Sequence, residues 1–245
     1  MKTCEEWSVA FDLMYNNISS DKAPGLNEYE KSVFLSRAQE AIVIGLYNGS
    51  LGDAFEATEA LSIYLAPLVK QKLLMASDEI EAGIPSGSNP YIIKIAGKNS
   101  HVFLLPSDLL FRTFESCTLM KNGCATEASV LPVTQDEYWR TSRNPFKGTS
   151  SNKVLRLTHS MTMTIGSVEP EYVEATCSEL VVKSGYSISS YLVRYIKRPE
   201  PIILEDLDGL NINGENKAQT CKLDEAIHSL ILSEAVKLAN EAWTA

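Results

Sequence analysis

Apolar residues with helical spacing open the chain and predict two helices. In the first, they recur four, three and four residues apart, which places them on one face of a helix that ends near residue 20. These residues are Trp7, Phe11, Met14 and Ile18. Asn27 and Glu30 then have the spacing of a capping box and predict the start of a second helix, which Asn48-Gly49 ends.

Two further amphipathic runs predict a third helix and a C-terminal helix. The third begins at Asp53 and is bent or ended by Pro67, so the chain is predicted to be helical to about residue 76. The C-terminal helix has apolar positions at Leu223, Ile227, Leu230, Ile231, Val236, Leu238 and Trp243. Because each of these helices carries a single apolar face, we expect the last one to pack on the first three.

From Asn89 onward the apolar spacing changes from helical to alternating, which predicts a β-meander. The predicted strands are 91–95, 102–105, 111–120, 126–133, 153–157, 172–182 and 186–196. Asn122-Gly123 is a strong signal for a tight hairpin turn between the third and fourth of these strands. Thr134 and Glu137 predict the start of a short helix, which Asn144-Pro145 ends.

The order of helices, strands and a final helix predicts an α+β fold. We expect a helical module, made of the three N-terminal helices and the C-terminal helix, with an antiparallel β-rich domain inserted into it. The predicted module comprises residues 1–88 and 217–245, and the predicted β-rich domain comprises residues 89–216.

Charge and composition narrow the classes of function. The formal net charge of −9 argues against a protein that wraps the phosphate backbone of DNA. The five cysteines are scattered without the spacing of metal ligands, so we expect reduced thiols. The first residues lack the pattern of a signal peptide, and no run of apolar residues is long enough to predict a membrane helix. We therefore expect a protein that is made in a cytoplasm and has no membrane partner.

The sequence offers no set of residues typical of an enzyme or a metal site. His101, His159 and His228 each lack a second histidine or cysteine at ligand spacing, and the glycine motifs of nucleophile elbows and phosphate loops are missing. Three acidic pairs could in principle act as acid–base or cation partners, but solvated loops are the better account. These pairs are Glu79/Glu81, Glu169/Glu171 and Asp206/Asp208. We predict no catalytic residue, no metal site and no cofactor.

The segment 194–204 is the candidate interface. Its two prolines cannot donate hydrogen bonds to a strand ladder, so they belong on an edge strand or an arm. Three apolar residues would then lie exposed on that arm, which favours contact with another subunit or protein. The candidate residues are Arg194, Tyr195, Arg198, Pro199, Pro201, Ile202, Ile203 and Leu204. Two alternatives stay open: the residues pack into their own domain, or the arginines and tyrosines bind nucleic acid.

Six stretches of the sequence carry a resemblance to a known family. They are residues 11–20 (FDLMYNNISS), 23–35 (APGLNEYEKSVFL), 38–42 (AQEAI), 104–110 (LLPSDLL), 195–204 (YIKRPEPIIL) and 223–239 (LDEAIHSLILSEAVKLA). Together they resemble the head-tail connector ring (adaptor) proteins of crAss-like phages of gut Bacteroidales. The succession of elements is also similar to tail tubular protein A and to gatekeeper-type adaptors of short-tailed phages. Residues 77–89 and 141–168 have no obvious counterpart.

The resemblance implies a structural protein of the virion, at the portal vertex or in the tail, and not an enzyme. Adaptors of this kind form a ring, typically of twelve copies, that docks beneath the portal and extends the DNA channel. The implied partners are other copies of the chain, the portal protein and neighbouring tail ring proteins, with non-specific proximity to DNA. The alternatives are a tail-hub or cargo protein of the virion, and an enzyme with a dispersed carboxylate site.

Overall fold

A computed structural model describes residues 3–18, 25–49, 63–79, 99–165 and 171–244. Its helices and strands, in chain order, are α1 (Cys4–Ile18), α2 (Glu28–Asn48), β1 (Val69–Met75), β2 (Ser100–Leu104), β3 (Leu109–Lys121), β4 (Cys124–Pro132), α3 (Gln135–Ser142), β5 (Lys153–Ile165), β6 (Glu171–Val181), β7 (Ser187–Lys197) and α4 (His228–Thr244). The protein therefore has a mixed α+β fold, as its sequence predicts. No described helix combines the length and the apolar content that a membrane crossing requires.

The chain forms two compact units. The terminal unit contains both ends of the chain, Met1–Val69 and Arg198–Ala245, and the sheet unit is Lys70–Lys197. The predicted domains, 1–88 with 217–245 and 89–216, stay a prediction, because compactness alone does not show which part of a chain folds independently. The first of the predicted boundaries also lies outside the described residues.

Local capping and turn signals of the sequence are present in the structure. At the start of α2, Asn27 Oδ1 accepts a hydrogen bond from the Glu30 N–H at 2.8 Å, and Glu30 Oε2 accepts one from the Asn27 N–H at 2.9 Å. The helix ends at Gly49, whose φ of 74° places it in the left-handed region that glycine adopts without strain. In the β3–β4 hairpin, Asn122 and Gly123 have φ values of 50° and 80°, as a tight hairpin turn requires.

In the terminal unit, α4 contacts both α1 and α2. Its inward face is buried and consists of Ile231, Leu232, Ala235, Val236 and Ala239. Leu230, which the helical pattern also predicts on that face, is 38% exposed. The predicted third helix, from Asp53 to near Pro67, lies largely outside the described residues, so the full helical module stays a prediction.

A buried ammonium group links α1 to α2. Lys31 Nζ lies 2.7 Å from Asp12 Oδ2 and 2.9 Å from Glu28 Oε1, and its side chain is only 5% exposed. Burial alone lowers the pKa of Lys31, but the hydrogen bonds to Asp12 and Glu28 outweigh it and raise the pKa overall. The lysine therefore stays charged and fixes one helix against the other.

The sheet unit contains one mixed seven-stranded sheet with the strand order β1-β7-β3-β4-β5-β6-β2. Neighbours run antiparallel in the pairs β2/β6, β3/β4, β3/β7 and β5/β6. The expected antiparallel arrangement is wrong at one place, because β4 and β5 are parallel, with Ser129 opposite Lys153. The connection through α3 returns the chain to the end of the sheet at which β4 begins, which a two-residue turn could not do.

The strand β1 corrects the prediction that the chain is helical to about residue 76. A 3-10 turn at Ala66–Leu68 contains Pro67, which ends the helical conformation, and the chain continues as a strand from Val69. This strand lies at the edge of the sheet beside β7. Its exposed lysines, Lys70 and Lys72, are typical of an edge strand that avoids further pairing.

The main core of the sheet unit lies inside a curled sheet. Phe103 on β2 and Tyr191 on β7 have ring centroids 5.6 Å apart, although four strands separate β2 from β7 in the sheet order. The sheet must therefore curl until its two ends approach each other. The opposite face of β5 and β6 is covered by α3, where Tyr138 packs on Leu155, Leu157 and Val181.

Candidate assembly surfaces

The candidate interface segment 194–204 divides between the two units. In the sheet unit, Arg194 is exposed and lies opposite Phe114, which is itself 53% exposed. Tyr195 is buried, and its hydroxyl donates a hydrogen bond to Asp108 Oδ1 at 3.2 Å. Burial and the neighbouring Asp108 carboxylate raise the pKa of Tyr195. Of these two candidates, Arg194 is the one whose side chain is available to a partner.

In the terminal unit, two serines of α2 hold the rest of the segment. Ser36 Oγ donates to the Ile202 carbonyl at 3.1 Å and accepts from the Ile202 N–H at 3.0 Å. One turn earlier, Ser32 Oγ accepts from the Leu204 N–H at 3.0 Å. The serine hydroxyls thus pair backbone groups that a neighbouring strand would otherwise pair. We call Ser32 and Ser36 the serine clamp.

The apolar residues of the segment are buried within their own chain. Ile202 and Ile203 are 0% exposed and Leu204 is 8% exposed. Ile203 packs with Leu207 and Ile212, next to Tyr29 and Val33 of α2. The assumption of exposed apolar surface was therefore wrong, because α2 covers this stretch and sequence spacing did not reveal it.

The candidate interface residues whose side chains are exposed are both arginines. Pro199 and Pro201 are also buried, whereas Arg198 is exposed and its Nε lies 3.3 Å from Glu40 Oε1. The interface role of the segment stays a prediction, and Arg194 and Arg198 are the side chains that could carry it.

A second exposed surface of the sheet unit follows α3 into the next loop. We call residues 139–147 the basic aromatic loop; it contains three basic residues and no acidic residue. Trp139 is 58% exposed and Phe146 is 87% exposed. Sequence reasoning missed this surface, although its cluster of basic and aromatic residues in an acidic chain was a readable signal.

The terminal unit carries an apolar groove between α1, α2 and α4. The groove has a volume of about 330 Å³. Its apolar lining includes Tyr15, Val33, Phe34, Ala239, Ala242 and Trp243. Glu30 and Arg37 also line it, so its charged groups could pair with charges of a partner.

The buried polar groups of the sheet unit form a paired network around Glu115. Arg156 Nε lies 2.9 Å from Glu115 Oε2, and the Tyr191 hydroxyl donates to the same carboxylate. Burial and the Glu115 charge raise the pKa of Tyr191 above its usual range. Arg156 and Arg112 also donate to Thr158 Oγ1, at 2.6 and 3.1 Å. Since carboxylate, guanidinium and hydroxyl groups pair with one another, the network is typical of a structural ion pair.

His101, His159 and Asp206 each contact a polar group of the same chain. His101 Nδ1 lies 2.7 Å from Glu79 Oε2, and His159 Nε2 lies 2.8 Å from Glu179 Oε2. Asp206 accepts a hydrogen bond from the Ala218 N–H, and this bond, together with the charge of Lys217, lowers the pKa of Asp206. Among the described residues, no three His, Cys, Asp or Glu side chains are grouped so that they could hold a metal ion.

Comparison with known proteins gives matches along nearly the whole chain. The family model of phage tail ring protein 3/4 matches residues 1–244. Ring protein 3 of Bacteroides phage crAss001 is 36% identical in an alignment that covers 97% of this chain and 94% of that protein. Ring protein 4/5 of the same phage is 33% identical in an alignment that covers 97% of this chain and 92% of that protein. The similarity thus includes both units and is not confined to one motif.

Proposed function

The chain belongs to the phage tail ring protein 3/4 family, and we propose from this that it is a ring subunit at the head-tail connector of a crAss-like phage. The resemblance to crAss-like phage ring proteins is confirmed, and the chain is a structural protein of the phage, not an enzyme. The observation that carries the proposal is the family match over residues 1–244.

The proposed assembly is a closed ring of twelve copies that docks beneath the portal protein and extends the DNA channel. Closure of a ring requires a heterologous interface, in which each copy presents two different complementary surfaces to its neighbours. The two units provide separate surfaces of different chemistry for such contacts. The location would be the portal vertex of the virion.

The distribution of charge supports a subunit with two chemically different parts. The terminal unit contains 19 acidic and eight basic residues, a formal charge of −11, whereas the sheet unit contains 12 acidic and 14 basic residues, a formal charge of +2. The net negative charge suits a channel component, because a wall that attracted DNA phosphates would hinder their passage.

We propose that the neighbours in the tail include rings of related chains. This chain is 36% identical to Ring protein 3 and 33% identical to Ring protein 4/5 of one phage, so that phage makes at least two proteins of this type. A stack of homologous rings would reuse one subunit shape while each ring varies the surface that meets the next.

Cryo-electron microscopy of the virion tests this proposal. The expected result is a ring of cyclic symmetry, coaxial with the portal, into whose density this chain fits in every subunit. Placement of the chain in the tail hub, or inside the capsid as cargo, would contradict the connector role. Native mass spectrometry of the isolated ring then measures the copy number, for which we expect twelve.

A further inference from the structure

Hydrogen bonds hold the backbone at Phe146, although its side chain is exposed. Asn144 Oδ1 accepts hydrogen bonds from the Phe146 N–H at 2.9 Å and from the Lys147 N–H at 3.2 Å. The Gly148 N–H donates to the Asn144 carbonyl at 2.7 Å, and Lys153 Nζ donates to the Phe146 carbonyl at 3.1 Å. Because these bonds fix the backbone that carries Phe146, little backbone entropy is lost when its ring binds a partner, which favours a contact anchor.

The glycine that closes this turn has a steric role. A Cβ atom at residue 148 would lie 2.9 Å from the Asn144 carbonyl oxygen and 3.0 Å from the Ser142 carbonyl oxygen. Only glycine allows the backbone to fold back this closely. The turn leaves Phe146 87% exposed, so its ring is available to a partner that buries it.

The charge of the loop indicates the chemistry of that partner. Residues 139–147 carry a formal charge of +3, and the rest of the chain carries −12. Arg140 pairs with Glu137 of α3 at 3.0 Å, so the positive charge offered to a partner is mainly that of Arg143 and Lys147. A second copy of the chain therefore attracts the loop, and its terminal unit, at −11, does so most strongly. Duplex DNA would also attract the positive charges, but its phosphate backbone offers no pocket for a phenylalanine ring.

The same chain provides a pocket of suitable chemistry. The apolar groove of the terminal unit is lined by aromatic and small side chains, among them Val33, Ala242 and Trp243. Interface anchors are commonly aromatic side chains that fill such pockets while charged groups pair around them. Glu30, whose Oε2 accepts the capping bond from Asn27, is exposed at this groove and can attract a positive charge of the loop, whereas Arg37 in the same lining opposes it.

We propose that the basic aromatic loop of one subunit docks on the terminal unit of the next copy and inserts Phe146 into its apolar groove. This inference rests on the proposed ring, and it names the two surfaces through which neighbouring copies meet. Because the loop and the groove are different surfaces of one chain, their contact is heterologous, as a closing ring requires.

Photo-crosslinking locates the contact directly. The photoreactive residue p-benzoylphenylalanine replaces Phe146 in the full-length protein, or replaces Leu210 as a control at another exposed apolar position, 50% exposed. After irradiation, we expect residue 146 to crosslink to peptides that contain residues 29–37 or 239–243 of a second copy, and residue 210 not to do so. Crosslinks from residue 146 to other peptides, or to added duplex DNA, would overturn the inference and leave the ring untouched.

A complementation experiment tests the heterologous geometry. Phe146→Asp removes the anchor, whereas Ala242→Trp fills the groove at an exposed lining position. We expect each variant alone to need a roughly 30-fold higher concentration than the wild type to associate, and Leu210→Asp to associate normally. An equimolar mixture of the two variants should form heterodimers, because one intact interface remains.

The outcomes separate this inference from the proposed ring. Multimers that form equally well with Phe146→Asp would contradict the loop contact and leave the ring function in place. A wild-type chain that forms no multimers at any concentration would contradict both.

Discussion

The serine clamp predicts a measurable order of stability among three serine-to-alanine variants. Ser36→Ala leaves both the N–H and the carbonyl of Ile202 without their side-chain partner at a residue that is 0% exposed. Ser32→Ala leaves the Leu204 N–H unpaired. Ser233→Ala is the matched control, because its hydroxyl donates to the Leu230 carbonyl on an exposed part of α4.

The magnitudes follow from the number of backbone groups that lose a partner. A buried polar group left unsatisfied costs about 1–3 kcal/mol, so Ser36→Ala should lower the free energy of unfolding by about 2–5 kcal/mol and Ser32→Ala by about half as much. For a chain of this size, 1 kcal/mol corresponds to a Tm shift of roughly 2–4 °C. We therefore expect Ser36→Ala to lower the Tm by roughly 5–15 °C and the exposed control to change it by less than about 2 °C.

Thermal and urea unfolding, followed by circular dichroism, measure these differences. The expected order of destabilisation is Ser36→Ala, then Ser32→Ala, then Ser233→Ala. If Ser36→Ala melts within about 2 °C of the wild type, the hydroxyl is not pairing the Ile202 backbone and the account of how α2 holds segment 198–204 is wrong.

Three further predictions concern α4, the cysteines and the charged part of the candidate interface. Ile231→Asp should lower the free energy of unfolding by several kcal/mol, because Ile231 is 0% exposed, whereas Leu230→Asp at its 38% exposed position should lower it by less than about 1 kcal/mol. Equal effects of the two variants in chemical unfolding would contradict the placement of α4. Iodoacetamide at pH 8, with mass spectrometry as the readout, should label the exposed Cys124 in the native protein. Burial raises the pKa of Cys117 to about 12 and that of Cys177 and Cys221 to about 11, so these thiols stay protonated and should label only after unfolding. Labelling of these three in the native protein at the rate of Cys124 would refute this. Arg194→Glu combined with Arg198→Glu should leave the Tm unchanged within about 2 °C and weaken multimer formation, as native mass spectrometry would detect; unchanged multimers would end the interface hypothesis for that segment.

The parts of the fold that the sequence predicted are those set by residues close together in the chain. The capping box of Asn27 and Glu30 acts over three residues, and the Asn122-Gly123 turn acts over two. Alternation of apolar residues likewise predicted strands at the places of β2 to β7. Such signals survive folding because tertiary contacts reinforce them.

The parts that could not be predicted depend on distant contacts. The strand β1 exists because β7, more than a hundred residues later, pairs beside it, and Ile203 is buried because α2 covers it. The parallel pairing of β4 with β5 depends on the path of the chain through α3. Helical spacing placed Leu230 and Ile231 on one face, but only the packing partner determines which of them is enclosed.

For the candidate surfaces, the sequence indicated which kinds of side chain are present, but it did not indicate which of them are exposed. The prolines of segment 194–204 correctly indicated backbone that does not join the sheet ladder, but exposure depended on α2. Conversely, the basic and aromatic residues around Phe146 are visible in the sequence, but only the structure shows that Phe146 is exposed and that Asn144 and Gly148 hold its loop.

The serine clamp also sets a time during synthesis before which the terminal unit cannot be complete. Ser36 binds Ile202, which follows it by 166 residues. At synthesis rates of 5–20 residues per second, the ribosome needs roughly 8–33 s to deliver that partner. The wall of the groove formed by Ala239 and Trp243 emerges later still. A chain interrupted before residue 239 would therefore lack the part of the proposed docking surface that Ala239, Ala242 and Trp243 form, and we expect it to be unable to receive the loop of a neighbouring copy.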